Sequence, residues 1–153
     1  MTPAILFLEK QQSPFTLHQY ECSAQDDFGA HAAEQLQVPL DQVFKTLLTE
    51  GEQGAVVALV PSSGKVNLKR LAKAAGVKKL DMMPPAKAER LTGYKVGGIS
   101  PFAQKKRLPV VLDASARQHA QILVSGGKRG LSLGVTADLL HSLLNAVIAD
   151  IAE

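Results

Sequence analysis

The chain has 153 residues, 46% of them hydrophobic and 20% charged, which suits one globular domain with a sizeable core and excludes a disordered or fibrous chain. Its net charge of +3 hides a segregation: residues 1–64 carry 2 basic and 8 acidic groups, residues 65–107 carry 12 and 2, and residues 108–153 carry 3 and 4. The middle segment, at +10, reads either as a solvated lysine-rich face or as a surface for phosphate backbones. No leader-like start and no apolar run of about 20 residues is present, so a cytoplasmic location away from membranes is expected. A single cysteine, Cys22, allows no internal disulfide and no Cys-rich zinc site.

In chain order, Thr2-Pro3 supplies a cap and a pre-set first position for a short helix, and Phe15 to Tyr20 then reads as a strand. Ala30 to Leu36 has helical composition and ends before Pro39. Val43 to Thr49 and Ala55 to Val60, separated by Glu-Gly-Glu-Gln-Gly, form a hairpin pattern. Asn67 caps a helix over Leu68 to Ala75, with Leu68, Leu71, Ala72 and Ala75 on one face and Gly76 as its stop. A strand at Val77 to Met82 and a helix from Pro84-Pro85 to Leu91 follow. Further strands are expected at Pro109 to Leu112 and Gln121 to Val124, then a closing helix over Ala137 to Ile151. The interleaving predicts an α/β domain with a mixed sheet.

Four histidines, His18, His31, His119 and His141, stand at no metal-ligand spacing, and neither G-x-S-x-G nor H-E-x-x-H occurs. No cofactor or metal is expected. Lys45 lies inside Val-Phe-Lys-Thr-Leu-Leu, so its ammonium is either snorkelling at a strand edge or a fixed cation in a pocket. Regular alternation would point Thr46 to the other face. In Gly97-Gly98-Ile99-Ser100-Pro101 the glycines permit close approach, and such a loop either aims N–H groups at a developing oxyanion or is a simple hairpin or bulge. Ser125-Gly126-Gly127-Lys128-Arg129-Gly130 is like a phosphate-cradling turn without the Walker spacing.

Taken together, Tyr20, Asp27-Phe28-Gly29, Phe44-Lys45-Thr46-Leu47-Leu48, Thr92-Gly93-Tyr94, the Gly97–Pro101 loop, Gln104 to Pro109 and Val124 to Gly130 closely resemble, over essentially the whole chain, the YbaK/EbsC family of Cys-tRNA(Pro) deacylases. These are free-standing relatives of the editing domain inserted in bacterial prolyl-tRNA synthetase. The resemblance implies a barrel-like central β-sheet surrounded by helices, and one trans-editing domain over residues 1–153. It implies removal of cysteine from Cys-tRNA(Pro), with Cys-tRNA(Cys) as a further substrate and prolyl-tRNA synthetase as partner. The substrate's own thiol would attack its ester, releasing a thiolactone. Carried over by position, Lys45 would sit near the tRNA 3′ end, and the backbone N–H groups of Gly98 and Ile99 would meet the oxyanion. Tyr20, Phe28, Thr46 and Ser125 would line the side-chain pocket, with Gly97, Ser100 and Pro101 around the ester. Lys105, Lys106, Arg107, Lys128 and Arg129 would hold acceptor-stem phosphates. Relatives often carry an aspartate where this chain has Ser132. A deacylase for Ala-tRNA(Pro) and a non-catalytic module binding tRNA or a synthetase are the competing expectations.

Overall fold

The computed structural model describes residues 1–23 and 27–153. Helix α1 (Pro3–Lys10) starts at Thr2, whose Oγ1 accepts the Ile5 N–H and also donates to the Gly126 carbonyl at 2.5 Å, so one hydroxyl caps the helix and ties it to a distant loop. Strand β1 (Thr16–Gln19) follows, then α2 (Phe28–Leu36). The hairpin forms as expected, β2 (Phe44–Gly51) against β3 (Gly54–Pro61), with Phe44 opposite Pro61 and Lys45 opposite Val60. Helix α3 (Leu68–Ala75) is capped by Asn67, whose side chain accepts the Arg70 N–H, and ends at left-handed Gly76.

The strand expected over Val77 to Met82 is reduced to β4 (Asp81–Met82), and α4 (Pro85–Thr92) follows it. Strands β5 (Val110–Asp113) and β6 (Ile122–Ser125) appear at the expected places. Two strands were not expected: β7 (Leu131–Val135), and β8 (Val147–Ala149), which replaces the second half of the predicted closing helix. That helix, α5 (Ala137–Leu144), stops where Asn145 turns left-handed (φ 53°), a conformation asparagine tolerates better than most residues.

Two open sheets result. One is antiparallel in the order β1-β7-β6; the other is mixed, in the order β4-β2-β3-β5-β8, with β3, β5 and β8 parallel. The barrel-like expectation is corrected here. The sheets meet at an isolated parallel bridge, Val43 with Leu123, and neither sheet closes into a ring. The main core fills the space between the sheets, with Phe44, Leu48, Leu59, Leu112, Leu133 and Phe102 among its members. On the outer face of the larger sheet, Leu71 and Ala72 of α3 cover Ala58, Val60, Val111 and Ile151. Burying roughly 2 kcal/mol worth of apolar surface per large side chain makes both layers strongly stabilising. Asp113 fastens the chain end: its Oδ1 accepts the N–H groups of Ile151 and Ala152 at 2.9 and 3.0 Å. No helix among the described residues is long and apolar enough to cross a membrane.

Candidate active site

Where β2 and β6 part, a cavity of about 370 Å³ opens between the sheets. Its walls come from both: Phe44 to Leu48 of β2, Val124 and Ser125 of β6, and Leu131 and Ser132 of β7. Phe28 and Gly29 at the start of α2, Met82 and Met83, and Val96, Gly97 and Ile99 complete it. Among the described lining residues Lys45 is the only cation and Asp27 the only carboxylate; no histidine or cysteine lines the space. Most of the wall is apolar, which strengthens any charge interaction inside.

Lys45 and Thr46 both line this cavity, although strand alternation sends them to different faces of β2. Thr46 is on the side of Phe44 and Leu48, which belong to the main core, whereas Leu47, on the side of Lys45, packs against the outer cluster. Burial pushes the Lys45 ammonium below the usual lysine value; the Asp27 carboxylate opposes that shift and Lys65 adds to it. Lys45 forms no ion pair among the described residues. The Thr46 and Ser62 hydroxyl oxygens are buried without a protein hydrogen-bond partner there. Desolvation raises the Tyr20 phenol, with Ser132 working the other way, so Ser132 belongs to the cavity wall beside Tyr20.

The glycine loop is built differently from the expectation in one respect. Lys95 to Gly98 form a turn in which the Gly98 N–H donates to the Lys95 carbonyl at 2.8 Å, with Gly97 at φ 89° in the third position, where a type II turn requires a positive φ. The Gly98 N–H, expected at the oxyanion, is engaged in that turn, and Gly98 does not line the cavity. Gly97 and Ile99 do line it, and their N–H groups have no hydrogen-bond partner among the described residues. Ser100 and Pro101 are also placed away from the cavity. Ser100 is fully buried, its Oγ accepting the Phe102 N–H and its carbonyl the Gln104 amide, so the pair anchors the loop to the core. Beneath them the Tyr94 hydroxyl donates to the Phe102 carbonyl at 2.6 Å, and burial raises its pKa to about 12.

The second glycine loop braces the first. Arg129 donates from Nε and Nη2 to the Val96 carbonyl at 3.1 and 2.9 Å, and its guanidinium lies 4.6 Å from the Phe28 ring centroid. Both partners are neutral, and Arg129 remains exposed. Lys128 is exposed. Lys105, Lys106 and Arg107 are exposed as well, and the first two donate their backbone N–H groups to the Thr92 and Leu91 carbonyls at the end of α4. That places three cations beside a helix C-terminus, whose dipole favours them. Residues that the sequence did not single out are Met82, Met83, Val96 and Ser62. The hairpin register could have found Ser62, because it follows Pro61 and donates its N–H to the Val43 carbonyl.

Residues 25–143 match the model of the aminoacyl-tRNA editing domain. The chain belongs to this family. It is 36% identical over 98% of its length, and 92% of the relative's, to EbsC of Enterococcus faecalis, whose assigned activity is deacylation of Cys-tRNA(Pro) and Cys-tRNA(Cys). It is 22% identical to proline–tRNA ligase of Listeria welshimeri over 82% of the chain, which corresponds to 22% of the ligase. A solved structure described as a trans-editing enzyme for prolyl-tRNA synthetase superposes with a TM-score of 0.88 at 24% identity, covering 99% of this chain and 95% of the other. Editing domains of this family act on mischarged aminoacyl-tRNA.

Proposed function

We propose that this editing domain, acting as one unit, removes cysteine from Cys-tRNA(Pro), and also from Cys-tRNA(Cys), through the substrate's own thiol. The observation that carries the reading is the composition of the cavity wall: hydroxyls, one lysine and apolar side chains, with no histidine or cysteine among the described lining residues. Such a wall supplies neither a strong nucleophile nor a neutral imidazole to activate water. A cysteinyl ester brings its own nucleophile. Its sulfur attacks the ester carbonyl, the bond to the terminal ribose oxygen breaks, that oxygen takes up the proton the thiol gave up, and a thiolactone leaves to hydrolyse in water. Holding thiol and carbonyl together can supply an effective molarity of about 10⁵ M or more, so the protein's work reduces to orientation and charge stabilisation.

In this reading the N–H groups of Ile99 and Gly97 meet the oxyanion, and Lys45 adds a desolvated positive charge at the ester or its ribose. Tyr20, Phe28, Thr46, Ser125 and Ser132 enclose the small side chain. Lys105, Lys106, Arg107 and Lys128 hold acceptor-stem phosphates, and prolyl-tRNA synthetase is the partner that presents the tRNA. The test is a deacylation assay on Cys-tRNA(Pro), Cys-tRNA(Cys) and Ala-tRNA(Pro), each with and without the synthetase. Fast loss of cysteine from either tRNA, quickened by the synthetase on tRNA(Pro), is expected. Preference for alanine would move the protein to a water-using sibling activity.

A further inference from the structure

Resting on that reading, we infer that Asp27 reads the free α-ammonium of the aminoacyl ester and thereby protects N-blocked esters, peptidyl-tRNA ending in cysteine among them, from cleavage. The chemistry creates the need. A cysteine whose amine is acylated carries the same thiol beside the same carbonyl, so thiol-assisted cleavage does not by itself spare it. The substrate's only cation at that end is its α-ammonium, and a carboxylate is the partner that gives it the stronger, charge-assisted hydrogen bond.

Asp27 is the one carboxylate among the described lining residues. It stands in the N-cap position of α2, where an aspartate ordinarily turns its side chain back onto the first free N–H groups, yet it makes no such bond. Its backbone is left-handed, φ 46° and ψ 52°, a conformation that aspartate and asparagine adopt more readily than most residues. The side chain is thereby released from capping at the edge of the cavity. Its carboxylate is close enough to Lys45 for the two fields to interact, but the two do not form an ion pair. An aminoacyl ester between them would set its carbonyl side toward the lysine and its ammonium toward the aspartate, a polarity an N-acyl ester cannot match.

The experiment compares single-turnover cleavage of Cys-tRNA(Pro) and N-acetyl-Cys-tRNA(Pro) by the unaltered protein and by Asp27→Asn. Asparagine tolerates the left-handed backbone, so the helix start is kept. The unaltered protein is expected to favour the free amine at least about 10-fold, the scale of one charge-assisted hydrogen bond. Asp27→Asn is expected to lose that preference by slowing only the free-amine substrate, with the N-acetyl rate unchanged. Equal slowing of both substrates, which a field effect through Lys45 or a shifted helix would produce, overturns the inference, as does no change in either. If the unaltered protein cleaves neither ester, the deacylase reading fails and this inference falls with it; cleavage of both at one rate leaves the deacylase standing and refutes the role of Asp27.

Discussion

Gly98 lies against the backbone of Lys128 so closely that a β-carbon on it would stand 2.7 Å from the Lys128 Cα and 3.0 Å from the Arg129 N. Two glycine loops from distant parts of the chain thus meet main chain to main chain, and the contact leaves no room for a side chain at position 98. Gly98→Ala should push the loops apart, costing about 1–3 kcal/mol, the usual range for overpacking. Deacylation should fall at least about 10-fold, because Gly97 and Ile99 move with the turn. A thermal melt beside a rate measurement checks this; full activity with unchanged melting would show that the loops are not held in this contact.

Lys45 bears on stability as well as activity. Its folded pKa lies below the ordinary lysine value because of burial, so the unfolded chain binds the proton more readily, and stability rises with pH through the window between the two values. At neutral pH the charged lysine therefore opposes folding. Lys45→Met should melt no lower than the unaltered protein at pH 7, with any advantage shrinking as pH approaches 10.5, while deacylation falls by about 10²-fold or more, the scale of one lost oxyanion-stabilising group. A clear drop in melting temperature at pH 7 would place the ammonium in a stabilising pair instead.

Arg129 and the 105–107 cations, alike in charge, should separate in their effects. Arg129→Lys removes the forked contact to Val96 and the stacking on Phe28, and should lower the deacylation rate with little change in tRNA affinity. Replacing Lys105, Lys106 and Arg107 together by alanine should weaken tRNA binding and reduce the slope of log affinity against log salt by about 2, since each phosphate contact contributes roughly 0.7 to 0.9. Binding titrations at several salt concentrations decide it. An unchanged slope would remove these three from the tRNA interface.

The Thr46 hydroxyl is buried with no protein partner among the described residues, and an unsatisfied buried group costs about 1–3 kcal/mol. Thr46→Val should keep or raise the melting temperature, by about 2–4 °C per kcal/mol in a chain of this size, yet slow cysteine release. Lower stability would mean that the hydroxyl is already hydrogen-bonded within the fold.

Local chemistry carried much of the fold into the sequence. Thr2-Pro3, Asn67 and Gly76 announced two helices because caps and stops act within one turn, and the β2–β3 hairpin was legible because its pairing partners are neighbours. Strand β7 was not read, although Leu131, Leu133 and Val135 alternate with Ser132 and Gly134, because it follows a glycine loop and contains a glycine of its own. It is buried on both faces as the middle strand of its sheet, which no local pattern reports. Residues after Leu144 read as continued helix, since a short apolar run does not distinguish helix from strand; parallel pairing with β5 decided for strand β8. At the site, sequence order suggested Gly98 as a donor and Ser100 and Pro101 as pocket residues. Hydrogen bonds of Gly98 and Ser100 to the loop's own neighbours, invisible in a linear pattern, hold the loop in shape, and none of the three lines the cavity.

If the substrate supplies the nucleophile, Cys-tRNA(Pro) and Ser-tRNA(Pro), which differ by sulfur for oxygen in an otherwise equal ester, must be cleaved at very different rates. Side-by-side single-turnover deacylation should show serine released at least about 100-fold more slowly, in keeping with the loss of an activated nucleophile rather than of a binding contact. Equal rates for the two esters would mean that the nucleophile is not the substrate's own thiol.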